Sequence, residues 1–282
     1  MEIGFYPGCS LEGTSSEYAQ STLALAKAFD IKLVEISDWS CCGASSAHSY
    51  SRNTSIALTA RILGLAEKDG MTEIVVPCAA CYNRLSVVQH ELNEDEELKS
   101  RISKTLRMPL SGNLEILNII QFIEKHIGDK IAERVVKRFK CSVVCYYGCL
   151  MVRPHDVLQF DRAEDPQSMD LLMSRVGATS LKWGYKTECC GGGFSISRTD
   201  VVAKLAGKVL RDAVDRKAEF VVVACPMCQS NLDMRRPYID RYLNRKSIVP
   251  VIYITQAIGL AIGLSEEELG MNKLFNKLKI EF

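Results

Sequence analysis

The sequence lacks a charge of one sign: 35 Lys and Arg stand against 34 Asp and Glu, leaving +1 over 282 residues. The basic residues are spread, not clustered, which excludes the electrostatic footprint of a nucleic-acid binder or an acidic-membrane binder. Proteins and small molecules are the expected partners. The basic n-region and long apolar h-region of a secretory leader are also missing, Met1 running at once into a strand-like segment, so the chain is expected in the cytoplasm. There is no GxGxxG, and no ribose-binding acid follows the CCGGGF run at 189–194, so neither a flavin nor an NAD site is expected. One uncharged stretch, 248–264, has 17 residues, close to the length that crosses a bilayer. Pro250, Thr255 and Gln256 interrupt it, and its β-branched first part gives way to Ala, Gly and Leu. It reads as a buried strand running into a helix, with no membrane span.

Cysteine, by contrast, is abundant: twelve in a chain that reads as cytoplasmic. In a reducing compartment such residues bind metal or do redox chemistry more often than they form structural bridges. Ten of them fall into an internal repeat. The first half carries GFYPGC ending at Cys9, CCG at Cys41, Cys42 and Gly43, and VVPCAAC with Cys78 and Cys81; the second carries CYYGC ending at Cys149, CCGGG from Cys189 and Cys190, and VVACPMC with Cys225 and Cys228. The intervening lengths are 31 and 35 residues in the first half and 39 and 34 in the second, the variation expected of loops around a retained framework. The repeat extends past the cysteines, ILNIIQFI at 116–123 matching VIYITQAI at 251–258 and setting Gln121 opposite Gln256.

Two similar domains, 1–140 and 141–282, are therefore expected. Strand-like runs at 3–6, 32–36, 73–76 and 114–118, and again at 142–146, 179–183, 220–223 and 249–254, alternate with helical stretches such as 16–29, 53–68 and 199–217. That alternation predicts an α/β fold, each domain a small parallel sheet flanked by helices. The cysteines then gather at the carboxyl ends of strands, where open α/β sheets place their sites. The charged segment 91–113 has no equal in the second half and reads as a solvated helix and loop. The tail opens with a capping box, Ser265 and Glu268, and is expected to form a short amphipathic helix on its own domain.

Five thiols per half are one more than a tetrahedral zinc site or an ordinary cubane cluster takes. Two structural zinc sites are the plainer reading, and the fifth cysteine counts against it. A core in which one sulfur bridges would use all five. Adjacent cysteines can reach one site only on a tight turn, which Gly43 and the glycines at 191–193 supply while bringing backbone amides close to sulfur.

Two copies of C…CCG…CxxC resemble the tandem cysteine-rich CCG repeat family, and the full set of five cysteines in both copies most resembles the B-type subunit of heterodisulfide reductase. The resemblance runs from Met1 to about Ile258; relatives in glycolate- and lactate-oxidising systems and in thiol-linked fumarate reductases carry such motifs too. It implies that Cys9, Cys41, Cys42, Cys78 and Cys81 hold one noncubane 4Fe-4S cluster and that Cys149, Cys189, Cys190, Cys225 and Cys228 hold the other. It further implies an oxidoreductase that splits a disulfide, the coenzyme M–coenzyme B heterodisulfide of methanogenesis, each cluster taking one sulfur and giving one electron. With no flavin, NAD or cubane ferredoxin spacing in the chain, electrons would come from partners: the ferredoxin-type iron–sulfur subunit and the flavoprotein subunit of such a reductase. The rival function is an iron–sulfur electron-transfer subunit that feeds a quinone or another acceptor and cleaves no disulfide.

Outside the ten cysteines, His48 and His155 each stand six residues past a motif cysteine and are candidate proton donors to a departing thiolate. Lys182, Lys186, Arg153 and Arg198 are candidates to pair with anionic substrate groups. Cys141 and Cys145 lie outside the repeat and are read as small buried hydrophobes.

Overall fold

The computed structural model describes residues 1–44, 47–246 and 249–276. Strands β1 (Glu2–Phe5), β2 (Lys32–Glu35), β3 (Glu73–Val76) and β4 (Glu115–Asn118) form one parallel sheet in the order β2-β1-β3-β4. Strands β5 (Ser142–Tyr146), β6 (Thr179–Ser180), β7 (Phe220–Val223) and β8 (Val251–Tyr253) repeat that order as β6-β5-β7-β8, again parallel. Two small α/β sheets of the expected kind are thus present. Their strands are short and rich in Val and Ile, and β7 is buried along its whole length, because helices cover both faces of a parallel sheet.

In the first half the helices are α1 (Gly8–Glu12), α2 (Ser16–Ala28), α3 (Ala47–Tyr50), α4 (Arg52–Lys68), α5 (Ala79–Glu94), α6 (Glu96–Leu106), α7 (Ile119–His126) and α8 (Gly128–Arg134). The second half has α9 (His155–Leu158), α10 (Ser168–Arg175), α11 (Thr199–Asp215), α12 (Pro226–Asp233), α13 (Arg236–Leu243) and α14 (Ile254–Ala261). The matched glutamines of the repeat share one task. Gln121 Oε1 accepts from the Asn118 amide and Gln256 Oε1 from the Tyr253 amide, both at 3.0 Å, so each last strand turns straight into a helix with its first amide satisfied. The uncharged stretch is accordingly β8 followed by α14, Ile248 itself lying outside the described residues, and among the described residues no helix is long and apolar enough to cross a membrane.

The halves pack across a pseudo-twofold relation, α2 of the first on α14 of the second and α10 of the second on α7 of the first. Ser21 Oγ meets Thr255 Oγ1 at 2.7 Å in the first of these contacts, and Tyr18 stacks on Tyr253 with centroids 3.9 Å apart.

Two expectations need correction. Strand 179–183 shortens to Thr179–Ser180, because Trp183 turns inward and donates its indole N–H to the Cys145 carbonyl at 3.1 Å. The tail forms its capping box, the Glu268 amide donating to Ser265 Oγ at 3.2 Å, but among its described residues, 265–276, not the expected helix. Gly270 at φ +64° stops the turn, and among the described residues only a 3-10 turn, Met271–Lys273, follows. Nor does the tail pack only on its own half. Lys273 Nζ donates to Gln20 Oε1 of α2 at 2.9 Å while Asn276 Nδ2 donates to Asp233 Oδ1 at 2.7 Å, so the segment bridges both halves.

Candidate functional site

In each sheet the strand order reverses between the first and third strands, and the cysteines stand at the carboxyl ends of those strands and their neighbours. Cys9 follows β1 on α1, and Cys149 follows β5 in a turn. Cys78 and Cys225 are the N-cap residues of α5 and α12, and Cys81 and Cys228 lie in the first turns of those helices. CxxC at a helix start puts both sulfurs on the side from which the chain arrives, beside the helix N-terminus, which favours negative charge.

The two sets are built alike. Cys42 Sγ lies 3.2 Å from Cys81 Sγ. The Gly43 amide donates to Cys41 Sγ at 3.4 Å and the Gly191 amide to Cys189 Sγ at 3.3 Å, from glycines at φ +77° and +84°. Tyr6 donates its hydroxyl to the Ser40 carbonyl at 2.8 Å and Tyr146 to the Glu188 carbonyl at 2.6 Å, each pinning the residue just before the CysCys pair. A tryptophan meets each tyrosine edge-on, Trp39 on Tyr6 and Trp183 on Tyr146. At Gly8 a Cβ would come 3.1 Å from Cys81 Sγ, and at Gly148 2.9 Å from Cys228 Sγ. Both glycines, at positive φ, leave room against sulfur that a side chain would fill.

Between the halves Cys78 and Cys225 are near enough to act on each other's ionisation, Cys78 being raised and Cys225 lowered. α1 packs on α12 and α5 on α9, so each CxxC helix rests on the segment after the other half's first cysteine. Asn83 Nδ2 on α5 fixes one of these contacts by donating to the carbonyls of Leu150 (3.1 Å) and Arg153 (2.6 Å). Cys42, Cys78, Cys81, Cys190, Cys225 and Cys228 are buried, whereas Cys9, Cys41 and Cys189 are exposed and Cys149 half-buried. The sulfurs form a covered floor with an open rim.

Crowding sorts the thiols electrostatically. Hydrogen bonds from Cys41 and then Cys81 hold Cys42 down to about 3, and a bond from Cys149 holds Cys189 at about 6. Cys225 is held well below the ordinary thiol range by Cys228 and Cys78. Cys41, Cys149, Cys78, Cys81 and Cys228 are raised, since each faces a neighbouring sulfur that already carries charge. Among the described residues, no three or more Cys, His, Asp or Glu are arranged to hold a single metal ion. The donor set nevertheless fits an iron–sulfur core in its chemistry: soft sulfurs only, backbone amides aimed at them, and cradles emptied of side chains at Gly8 and Gly148.

The other sequence candidates scatter. His48 and His155 are exposed, and among the described residues neither hydrogen-bonds a motif cysteine. Lys186 is buried and spent internally, on Asp165 (3.0 Å), Asp170 (3.2 Å) and the Pro166 carbonyl. Arg153 pairs with Glu164, Arg198 with Asp200, and Lys182 is exposed. Cys145 is buried on β5 with its Sγ 3.9 Å from Ser180 Oγ; Cys141, just before that strand, is partly exposed. Sequence reasoning missed Tyr6 and Tyr146, and also Arg84 and Asn231, three residues past the second cysteine of each CxxC. Asn231 Nδ2 donates to the Cys190 carbonyl at 3.1 Å and lies 3.6 Å from its Sγ. The equal offsets within the repeat were the available signal.

Comparison with known proteins agrees with the duplication: the cysteine-rich domain family CCG matches twice, over residues 3–86 and 143–233. The 8-methylmenaquinol:fumarate reductase membrane anchor subunit of Wolinella succinogenes is 30% identical over 275 residues, spanning 96% of this chain and 95% of its own. The B-type subunit of the ferredoxin/F(420)H(2)-dependent CoB-CoM heterodisulfide reductase of Methanosarcina acetivorans is 26% identical over 279 residues, spanning 96% and 93%. Among solved structures, a hypothetical protein from Helicobacter pylori superposes with a TM-score of 0.79 at 11% identity, covering 99% of this chain and 52% of that one, a likeness of fold alone.

Proposed function

The chain belongs to the cysteine-rich CCG family, and from that premise we propose that it is an iron–sulfur oxidoreductase subunit that cleaves a disulfide. Cys9, Cys41, Cys42, Cys78 and Cys81 hold one noncubane 4Fe-4S cluster, and Cys149, Cys189, Cys190, Cys225 and Cys228 hold a second, within units 1–140 and 141–282. The coenzyme M–coenzyme B heterodisulfide is the substrate this reading favours, with a ferredoxin-type subunit and a flavoprotein subunit as electron donors. The observation that carries it is the pair of five-cysteine sets brought to one seam, α1 packing on α12 and α5 on α9 with Cys78 and Cys225 near neighbours across it.

When bound, the clusters supply the two electrons that reductive cleavage needs, one from each half. The chain's own groups do the rest. The glycine amides at 43 and 191 donate to sulfur and stabilise its negative charge. Tyr6 and Tyr146 fix the CysCys loops, and the buried cysteines keep water from the floor while the exposed rim at Cys9, Cys41 and Cys189 leaves an approach for a small molecule. A second reading has one specific support, the 30% identity to a subunit of a quinol-linked fumarate reductase: electron transfer to or from a quinone, without disulfide cleavage.

Anaerobically purified protein should contain iron and inorganic sulfide in about equal amounts and little zinc; stoichiometric zinc without sulfide would remove the cluster reading. A thiol added to the oxidised protein should change its electron paramagnetic resonance spectrum. An unchanged spectrum at full iron content favours the electron-transfer reading.

A further inference from the structure

The repeat makes the two sites alike in nearly every contact, so a difference at matched positions stands out. Six residues past the first cysteine of each CxxC the first half has Arg84 and the second Asn231. Asn231, neutral, bonds the backbone and faces the sulfur of Cys190. Arg84 stands on α5 in the corresponding place, and its charge acts on Cys42, the counterpart of Cys190. Its Nη2 donates to Ser55 Oγ at 2.9 Å, while its Nε is buried with no hydrogen-bond partner. Among the described residues no carboxylate lies within ion-pair distance of Arg84. Near the second set Arg153 is neutralised by Glu164 at 2.7 Å and Glu188 adds a negative charge beside Cys189, while Arg235, four residues past Asn231, is turned to the backbone, donating to the Ser195 carbonyl at 2.8 Å with its own Nε unpartnered. A buried donor left without an acceptor is costly unless a ligand supplies one.

We propose that Arg84 is a positioning and tuning residue for the first-half cluster, its Nε–H donating to a sulfur there and its uncompensated charge setting that cluster at a higher reduction potential than the second. The inference rests on the two-cluster reading above. Net charge and hydrogen bonds to sulfur are the levers that set such potentials, and adding an electron makes the core more negative, which a nearby cation favours. Of two clusters built alike, the one beside Arg84 is reduced first, and an electron entering the protein comes to rest in the first half.

The test is a redox titration of the whole cluster-loaded protein followed by electron paramagnetic resonance, with iron and sulfide measured in every sample. Wild type should show two separate steps. Arg84→Gln should lower the upper step and leave the lower one in place, and Arg84→Lys, which keeps the charge, should retain most of the separation. An Arg84→Gln protein with full iron and both steps unmoved, or with only the lower step shifted, overturns the inference. Should Arg84→Gln lose iron, Arg84→Lys decides: full iron with the upper step retained supports the charge, whereas loss of iron there too makes Arg84 merely structural and overturns it. Wild-type protein without sulfide-bound iron would instead mark failure of the cluster reading itself.

Discussion

Cys42 is buried yet held near 3, because two neighbouring thiols donate to it and outweigh the cost of burying charge. A cysteine outside such a group behaves differently. Cys145 is equally buried, and desolvation, with Asp170 nearby, pushes its thiol up. Replacing Cys141 and Cys145 together by Ala should therefore leave the iron content of purified protein unchanged, whereas Cys41→Ala or Cys189→Ala should lower it by as much as half. Iron loss in the double variant would mean a wrong ligand set. The ten motif cysteines are legible in the sequence because repetition exposes them. Tyr6, Tyr146 and Asn231 are marked in the sequence only by their equal offsets in the repeat, because the carbonyl or sulfur that gives them a task is brought against them by the fold. Lys186 misled for the converse reason: its charge suggested a substrate, and only folding brings Asp165 and Asp170 to it.

Among the elements, the turns after β1 and β5 are the most exacting. Gly8 and Gly148 combine positive φ with a sulfur only 3.1 and 2.9 Å from where a Cβ would stand, so Gly8→Ala or Gly148→Ala should fold but lose the iron of its own half, read as a fall in iron per chain. At the opposite end of the first sheet, Glu73 at the start of β3 accepts from Lys125 and His126 at the end of α7, both at 2.5 Å. Burial raises its carboxyl, but the bonds from Lys125 and His126 prevail and its net displacement is downward. A depressed folded value contributes stability above the unfolded one, 4.5, that is lost as pH falls through the folded value. Glu73→Gln should therefore lower the thermal midpoint at neutral pH, by the equivalent of about 1 kcal/mol given the exposed Lys125, and the difference should shrink as the pH falls below about 4.5. Strands β3, β5 and β7 coincide with their sequence expectation because dense Val and Ile fix them locally. β6 and the tail depart from theirs because Trp183 and Gly270 answer to distant partners.

The whole molecule has an organisation that the sequence announced only as duplication. Two copies of a motif do not say whether the copies face each other, and here α1 on α12, α5 on α9 and the neighbouring thiols of Cys78 and Cys225 bring both sets to one seam. A two-electron cleavage shared between two one-electron centres needs that closeness, and it makes their contributions non-additive. A relay makes no such demand, since only the centre nearest the acceptor is then indispensable.

The most direct measurement is reduction of a disulfide substrate by a chemical electron donor in wild type and in the matched variants Cys81→Ala and Cys228→Ala, each checked by its spectrum for the surviving cluster. Shared cleavage predicts turnover in wild type and near-complete loss in both variants alike. Near-normal turnover in either variant would contradict it and leave that half an electron-transfer or structural role, and no turnover in fully loaded wild type would contradict disulfide reduction itself.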